Sequence, residues 1–126
     1  MPASTQGPGD PSALYDNQWR LTRLGGAEVV LKDAPREAHL VFFPGGNLNG
    51  ADGCNAIRGG FETRGDSLTI KTPLMGTLMT CTLPDDLDRR FLEALARVRK
   101  WRVTNLDLEL LDDTGTTLAR FEALPR

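Results

Sequence analysis

Cys54, Cys81 and His39, the only cysteines and the only histidine of the chain, are the side chains with distinctive chemistry of their own. A thiolate held beside an imidazole is a nucleophile, so Cys54 activated by His39 would make a thiol-dependent enzyme. The residues around Cys54 point to something plainer. Gly50-Ala51-Asp52-Gly53-Cys54-Asn55 carries no helix start that would lower a thiol pKa, and its glycines and asparagine tolerate the positive φ of a tight reversal. A structural cysteine at a turn accounts for the same pattern, and no catalytic residue is expected. A zinc centre is excluded by supply, since four soft or borderline ligands at short paired spacing are absent; no metal or other cofactor is expected. Two readings of the cysteine pair stay open. Bridged, it would restrict the unfolded chain by about 3.5 kcal/mol in the loop-entropy model. Free, both residues would be small buried hydrophobes.

Other motifs reduce to turns and solvated faces. Asp113-Thr114-Gly115 is the triplet of aspartic proteases, but too few residues follow it for the flap and second sheet of such an enzyme, and it is good hairpin-turn chemistry. Arg64-Gly65-Asp66 spells an adhesion tripeptide and reads equally as a turn between strands. Arg97, Arg99, Lys100, Trp101 and Arg102 mix charge with an aromatic ring, as single-stranded nucleic-acid binders do; a helix end and a solvated strand face explain them more simply. The chain has 15 basic and 17 acidic residues, a net charge of −2, so the basic excess of a general nucleic-acid binder is missing. The glycine-rich run from Pro44 to Gly53 lacks the lysine and helix of a phosphate-binding loop.

These residues must be positioned by one domain, the default for 126 residues. Residues 1–18 are expected as a flexible tail and 19–126 as the domain. No apolar run approaches the roughly 20 residues of a membrane-spanning helix. Short alternating runs at Trp19–Leu21, Leu40–Phe43, Leu68–Ile70, Trp101–Val103, Leu106–Leu110 and Leu118–Glu122, with turn residues between them, predict about seven to eight antiparallel strands. Val29–Leu31 is a further short candidate. Leu87, Phe91, Leu95 and Val98 instead recur at helical spacing. Thr82 can cap this helix, Pro84 suits its first turn, Asp85, Asp86 and Asp88 suit its positive end, and Arg97, Arg99 and Lys100 its negative end, which predicts one helix over roughly 84–99. The expected fold is α+β: a curled antiparallel sheet or partial β-barrel with the helix packed across an opening.

The marks Trp19-Arg20-Leu21, Gly53-Cys54-Asn55, Gly65-Asp66-Ser67-Leu68, Thr77-Leu78-Met79-Thr80-Cys81, Phe91-Leu92-Glu93-Ala94-Leu95 and the ending Leu108 to Phe121 resemble the META domain family, whose bacterial members include HslJ-type heat-shock proteins. The resemblance covers roughly Trp19 to Glu122. It implies a curled sheet with one helix across it, no enzymatic activity, export to the cell envelope, often as a lipoprotein, and links to heat stress and novobiocin tolerance. It carries over Cys54 and Cys81 as marker cysteines close in space and able to form a disulfide, and Gly53, Asn55, Thr77 and Met79 as structural markers.

The functional expectation is therefore a non-enzymatic envelope stress-response protein. It would act as a monomer by binding an envelope partner protein or a small apolar ligand held between sheet and helix, and not nucleic acid. The alternatives are the Cys54 enzyme and a purely structural docking module. The start of the chain has neither the basic residues nor the apolar stretch of a signal peptide, so envelope or secreted placement presumes a removed export signal; otherwise the cytoplasm is expected.

Overall fold

The computed structural model describes residues 11–15, 17–30 and 36–124. Its elements, in chain order, are β1 (Gln18–Leu24), β2 (Ala27–Glu28), β3 (His39–Phe43), β4 (Asn47–Ala51), β5 (Ala56–Arg64), β6 (Ser67–Ile70), β7 (Met75–Gly76), α1 (Leu87–Arg97), β8 (Lys100–Thr104), β9 (Asp107–Leu111) and β10 (Thr117–Leu124). Every named pairing between these strands is antiparallel. The wall runs β1-β3-β4-β5-β6-β8-β9-β10 and returns to β1, an eight-stranded closed barrel with β2 and β7 as short additions on β1 and β5. The sheet expected to be a partial barrel is thus closed. β1 and β10 pair from Gln18↔Leu124 to Leu24↔Ala119, with an irregularity between Leu21 and Arg23. Local periodicity cannot announce that contact, because it joins the two ends of the domain.

Alternation fills the interior. Trp19, Leu21 and Leu24 of β1 are buried, as are Leu40 and Phe42, Phe61, Leu68 and Ile70, Leu108 and Leu110, and Phe121. Each fully buried side chain of this size is worth about 1.5–3 kcal/mol. The wall is thinnest between β6 and β8, where the register is a single pair, Ser67↔Lys100. Two flanking bonds, Leu68 N–H to Arg99 O and Trp101 N–H to Asp66 O, complete that seam. Helix α1 lies between β6 and β8 in the chain and touches β6 and β10, which are not neighbours in the wall, so it lies across the barrel end. Its stripe Leu87, Phe91, Ala94 and Leu95, followed by Val98, is buried in the same core, with the Phe91 and Phe121 rings 6.0 Å apart.

Several expectations are corrected. The helix is shorter than 84–99: Pro84–Asp86 is a separate 3-10 turn, Asp85 and Asp86 have φ of 54° and 52°, and Asp86 rather than Thr82 stands at the N-cap with no side-chain cap bond. The tail does not extend to residue 18. Pro11–Leu14 is a 3-10 turn, Leu14 is fully buried and accepts a hydrogen bond from Trp19 Nε1 at 3.0 Å, and Tyr15 bridges to Phe42 and meets the Phe61 ring. Residues 1–10 lie outside the described residues. Leu106 is not a strand residue but an exposed member of the β8–β9 turn, beside Asn105 at φ 56°. β5, the longest strand, was not expected at all, because Gly59 and Gly60 interrupt its alternation. Of the Val29–Leu31 candidate, Val29 and Val30 stand outside any strand, β2 ending at Glu28, and Leu31 lies outside the described residues.

Outside the barrel, Glu109 of β9 is nearly buried yet charged. Its carboxylate accepts from Arg102 Nε (3.2 Å) and Nη2 (3.0 Å) and from Thr117 Oγ1 (2.9 Å), and faces Arg120 at 3.4 Å, tying β8, β9 and β10 together. Arg102 above all holds its carboxyl below the ordinary 4.5. Glu109→Gln removes this charge at nearly constant shape. It should cost about 1 kcal/mol near neutral pH, allowing for the half-exposed arginines, and lower Tm by about 3–5 °C in a domain of this size. Because the folded carboxyl titrates below its unfolded value, the wild-type advantage should be complete above 4.5 and fade as pH falls through the lowered folded value. Thermal melts of both proteins across that range check this, and a gap that persists unchanged into strong acid would contradict it.

Candidate functional site

β4 ends at Ala51, and the chain reverses into β5 through Asp52, Gly53, Cys54 and Asn55. Asp52 is 2% exposed, and its Oδ1 accepts the backbone N–H of Cys54 (2.9 Å) and of Asn55 (2.7 Å). Its own N–H donates to Asn55 O at 3.0 Å. The short carboxylate thereby closes the turn on its own backbone, as Asp does in Asx turns, and Gly53 supplies the φ of 98° the reversal requires. Asp52 is thus a structural residue that the sequence reading did not single out, although Asp followed by Gly is turn chemistry.

Asn55 does what a strand would do. β7 pairs with β5 through Ile57↔Gly76 and Arg58↔Met75, and the ladder continues with Thr77 N–H to Ala56 O at 3.1 Å. Beyond Ala56 the backbone of β5 has turned away. There the Asn55 amide takes the next rung: Oδ1 accepts Met79 N–H at 2.7 Å, and Nδ2 donates to Met79 O at 3.1 Å. Thr77 Oγ1 donates to Asn55 Oδ1 at 2.7 Å and accepts Ala56 N–H at 3.2 Å. Cys54 and Cys81 form a disulfide, with Cα atoms 5.9 Å apart and a sequence separation of 27. Gly76 is needed for the close approach, since a Cβ there would stand 2.7 Å from Ala56 O.

The structure therefore brings Gly53, Cys54, Asn55, Thr77, Met79 and Cys81 together, and their polar groups and sulfurs hold one segment, the strap from Met75 to Cys81, against the barrel. The strap turns apolar side chains outward: Leu78 is 97% exposed, Met75 66% and Met79 48%. Beside it, over the outer face of β3, β4 and β5, runs an open groove of about 600 Å³. Arg36, His39, Arg58, Met75 and Thr77 line it.

Other sequence candidates are placed elsewhere. His39 is not bonded to Cys54; its Nδ1 lies 2.8 Å from Glu37 O. Cys54 is buried and shares its sulfur with Cys81, so no thiol stands there. Among the described residues no three His, Cys, Asp or Glu side chains converge as metal ligands, and no helix is long and apolar enough to cross a membrane. Asp113-Thr114-Gly115 is a β9–β10 turn organised by Asp112, whose Oδ1 accepts from Thr114 N, Thr114 Oγ1 and Thr116 N. Hydrogen bonds from Thr114 and Thr116 hold the Asp112 carboxyl below its ordinary value, and Arg97 faces it at 3.5 Å. Gly65 of the adhesion-like triplet accepts from Trp101 Nε1 at 3.1 Å. Trp101 is buried, so the ring of the basic cluster is not presented for stacking on bases.

A family model described as META domain matches residues 12–124. Among solved structures, the chain is similar to an NMR structure of a protein from Burkholderia xenovorans, at 25% identity and a TM-score of 0.70, covering 100% of this chain and 96% of that one. A second NMR structure is 24% identical, with a TM-score of 0.67 and coverage of 89% and 92%. The crystal structure of a DUF4847 family protein from Bacteroides vulgatus is 15% identical with a TM-score of 0.67, covering 94% and 99%, a likeness of fold. No curated protein matches the chain.

Asn55→Ala removes both bonds to Met79 and the one from Thr77, and should cost about 1–3 kcal/mol. In hydrogen exchange the Met79 amide should lose protection while the β1–β10 ladder keeps its own. Replacing both cysteines by serine should cost up to about 3.5 kcal/mol and deprotect the same strap. Undiminished protection of Met79 in Asn55→Ala would show that the amide does not hold the strap.

Proposed function

The chain belongs to the META domain family, and we propose from that premise that it is a non-enzymatic stress-response module of the cell envelope that acts by binding a partner protein through its strap. The observation carrying this reading is the contrast at the strap. Three hydrogen bonds of the Asn55 and Thr77 side chains and a disulfide fix its backbone, yet Leu78 is 97% exposed between two exposed methionines. Fixing a loop while leaving its apolar side chains in water is costly unless something covers them, and rigidity lowers the entropy lost when that happens. Methionine adapts its shape to a partner surface.

The family supports the stress-response part of the reading. The disulfide supports an oxidising, extracytoplasmic compartment. Barrel closure leaves β1 and β10 paired on both sides and so favours a monomer, because neither end of the sheet offers an open edge to a second copy. A thiol enzyme would need Cys54 free. An apolar ligand between sheet and helix would have to displace Phe91 and Leu95, both fully buried in the core.

Leu78→Asp tests the reading at a position where folding has little at stake; its stability should change by less than about 0.5 kcal/mol. Wild-type protein immobilised on resin should retain a defined partner from envelope extract that Leu78→Asp retains at most a tenth as well, roughly 1.4 kcal/mol of binding. Equal retention by both would remove the strap from the interface. Silence of the wild type in this assay and in thermal-shift screens of lipids and small molecules would remove binding altogether.

A further inference from the structure

The groove beside the strap has a chemistry of its own. Cross-strand register puts Val41, Asn49, Arg58 and Met75 in one row and His39, Ala51 and Ala56 in the next but one. Side chains alternate along a strand, so these two rows share the outer face of the barrel. The row between them, Leu40, Gly50, Ile57 and Gly76, points inward, and Leu40 and Ile57 are core residues. The small side chain of Ala56 therefore lies low in the trough, while Arg58 and Met75 stand side by side on one flank and Arg36 and His39 on the other.

Among the described residues, every ionisable side chain lining this trough is basic: Arg36, His39 and Arg58. Elsewhere five arginines meet carboxylates, Arg20 with Glu122, Arg89 with Asp86 and Glu93, Arg97 with Asp112, and Arg102 and Arg120 with Glu109, while Arg23, Arg90 and Arg99 donate to backbone carbonyls. Arg36 and Arg58 have no ion-pair partner among the described residues, and both face one groove on a chain whose net charge is −2. A guanidinium is the side chain best shaped to take a carboxylate in two parallel hydrogen bonds.

Resting on the binding reading above, we propose that this trough seats an extended acidic segment of the partner protein, with a carboxylate on Arg58 or Arg36 and a neighbouring apolar side chain on Met75. The shape selects a peptide over a small amphiphile. At about 600 Å³ the trough has volume enough for a ligand, but it is open along its length, whereas small-molecule sites enclose about 70–90% of their ligand. An extended chain needs only one face covered and presents alternate residues to it. Arg58 with Met75 in register matches an acidic residue beside an apolar one, and the strap carries the apolar surface onward through Leu78 and Met79.

Fluorescence anisotropy on the full chain tests this with a labelled, N-acetylated peptide of alternating valine and glutamate. Its glutamine and lysine counterparts, laurate, inorganic phosphate and phosphatidylglycerol vesicles serve as competitors. The glutamate peptide should bind about tenfold or more tightly than the glutamine peptide, and more weakly as salt rises. Arg58→Glu and Arg36→Glu, both exposed and checked for folding by melting temperature, should each weaken it about tenfold. The double charge reversal should accept the lysine peptide instead, and Arg64→Glu, exposed on a different hairpin, should change nothing. Absence of binding, equal binding of glutamate and glutamine peptides, indifference to Arg58→Glu, or preferential binding of laurate, phosphate or vesicles would each overturn the assignment. If it falls while Leu78→Asp still releases the envelope partner, the strap reading stands without the groove; if both fail, the binding reading fails with it.

Discussion

Pairing of the first long strand with the last is the constraint on which the other features hang. Once Gln18–Leu24 lies against Thr117–Leu124 the sheet has a closed interior, and closure of this kind removes the edges through which sheets aggregate. The interior must then be filled and its end covered. Trp19, Phe42, Phe61 and Phe121 do the first, and the inward stripe of α1 does the second. Leu14 and Tyr15 add a further seal, with the Leu14 carbonyl satisfying the indole N–H of Trp19.

On this rigid wall the β4–β5 reversal can act as a bracket. Asp52 folds the turn upon itself, Asn55 supplies the amide that the departing backbone no longer offers, and the disulfide joins the reversal to the end of the strap. A side-chain amide can do this because it carries the donor and acceptor pair of a peptide unit without its chain direction. Met79 therefore has both backbone groups satisfied though no strand lies opposite it. The motif most suggestive of reactivity is thus built for geometry, and its product is an immobile segment with exposed apolar side chains.

Charge is divided along similar lines. Glu109 and Asp112 draw in Arg102, Arg120 and Arg97 around the β8–β10 side, where they join strands, turn and helix end. Arg36 and Arg58 sit across the barrel from any such carboxylate, along the groove. The first group holds the protein's own elements together. The second has charge left for a partner, and it lies beside the strap whose apolar side chains need cover.

Local features were legible in the order of residues because short-range geometry dictates them. The stripe of Leu87, Phe91, Leu95 and Val98 could only be a helix face, Trp19 and Leu21 could only alternate in a strand, and Gly65 and Gly115 marked turns whose φ of 60° and 88° other residues rarely adopt. The motif residues of the site were legible too, through family resemblance, whereas their roles were not: nothing in Asn55 itself says that its amide will stand in for a strand. Tertiary structure alone decided that the barrel closes, that glycine-rich Ala56–Arg64 is its longest strand, and that Arg36 and Arg58 share a groove. Each of these joins distant residues or rests on packing against neighbours, and strand pairing takes its energy from those neighbours more than from intrinsic preference.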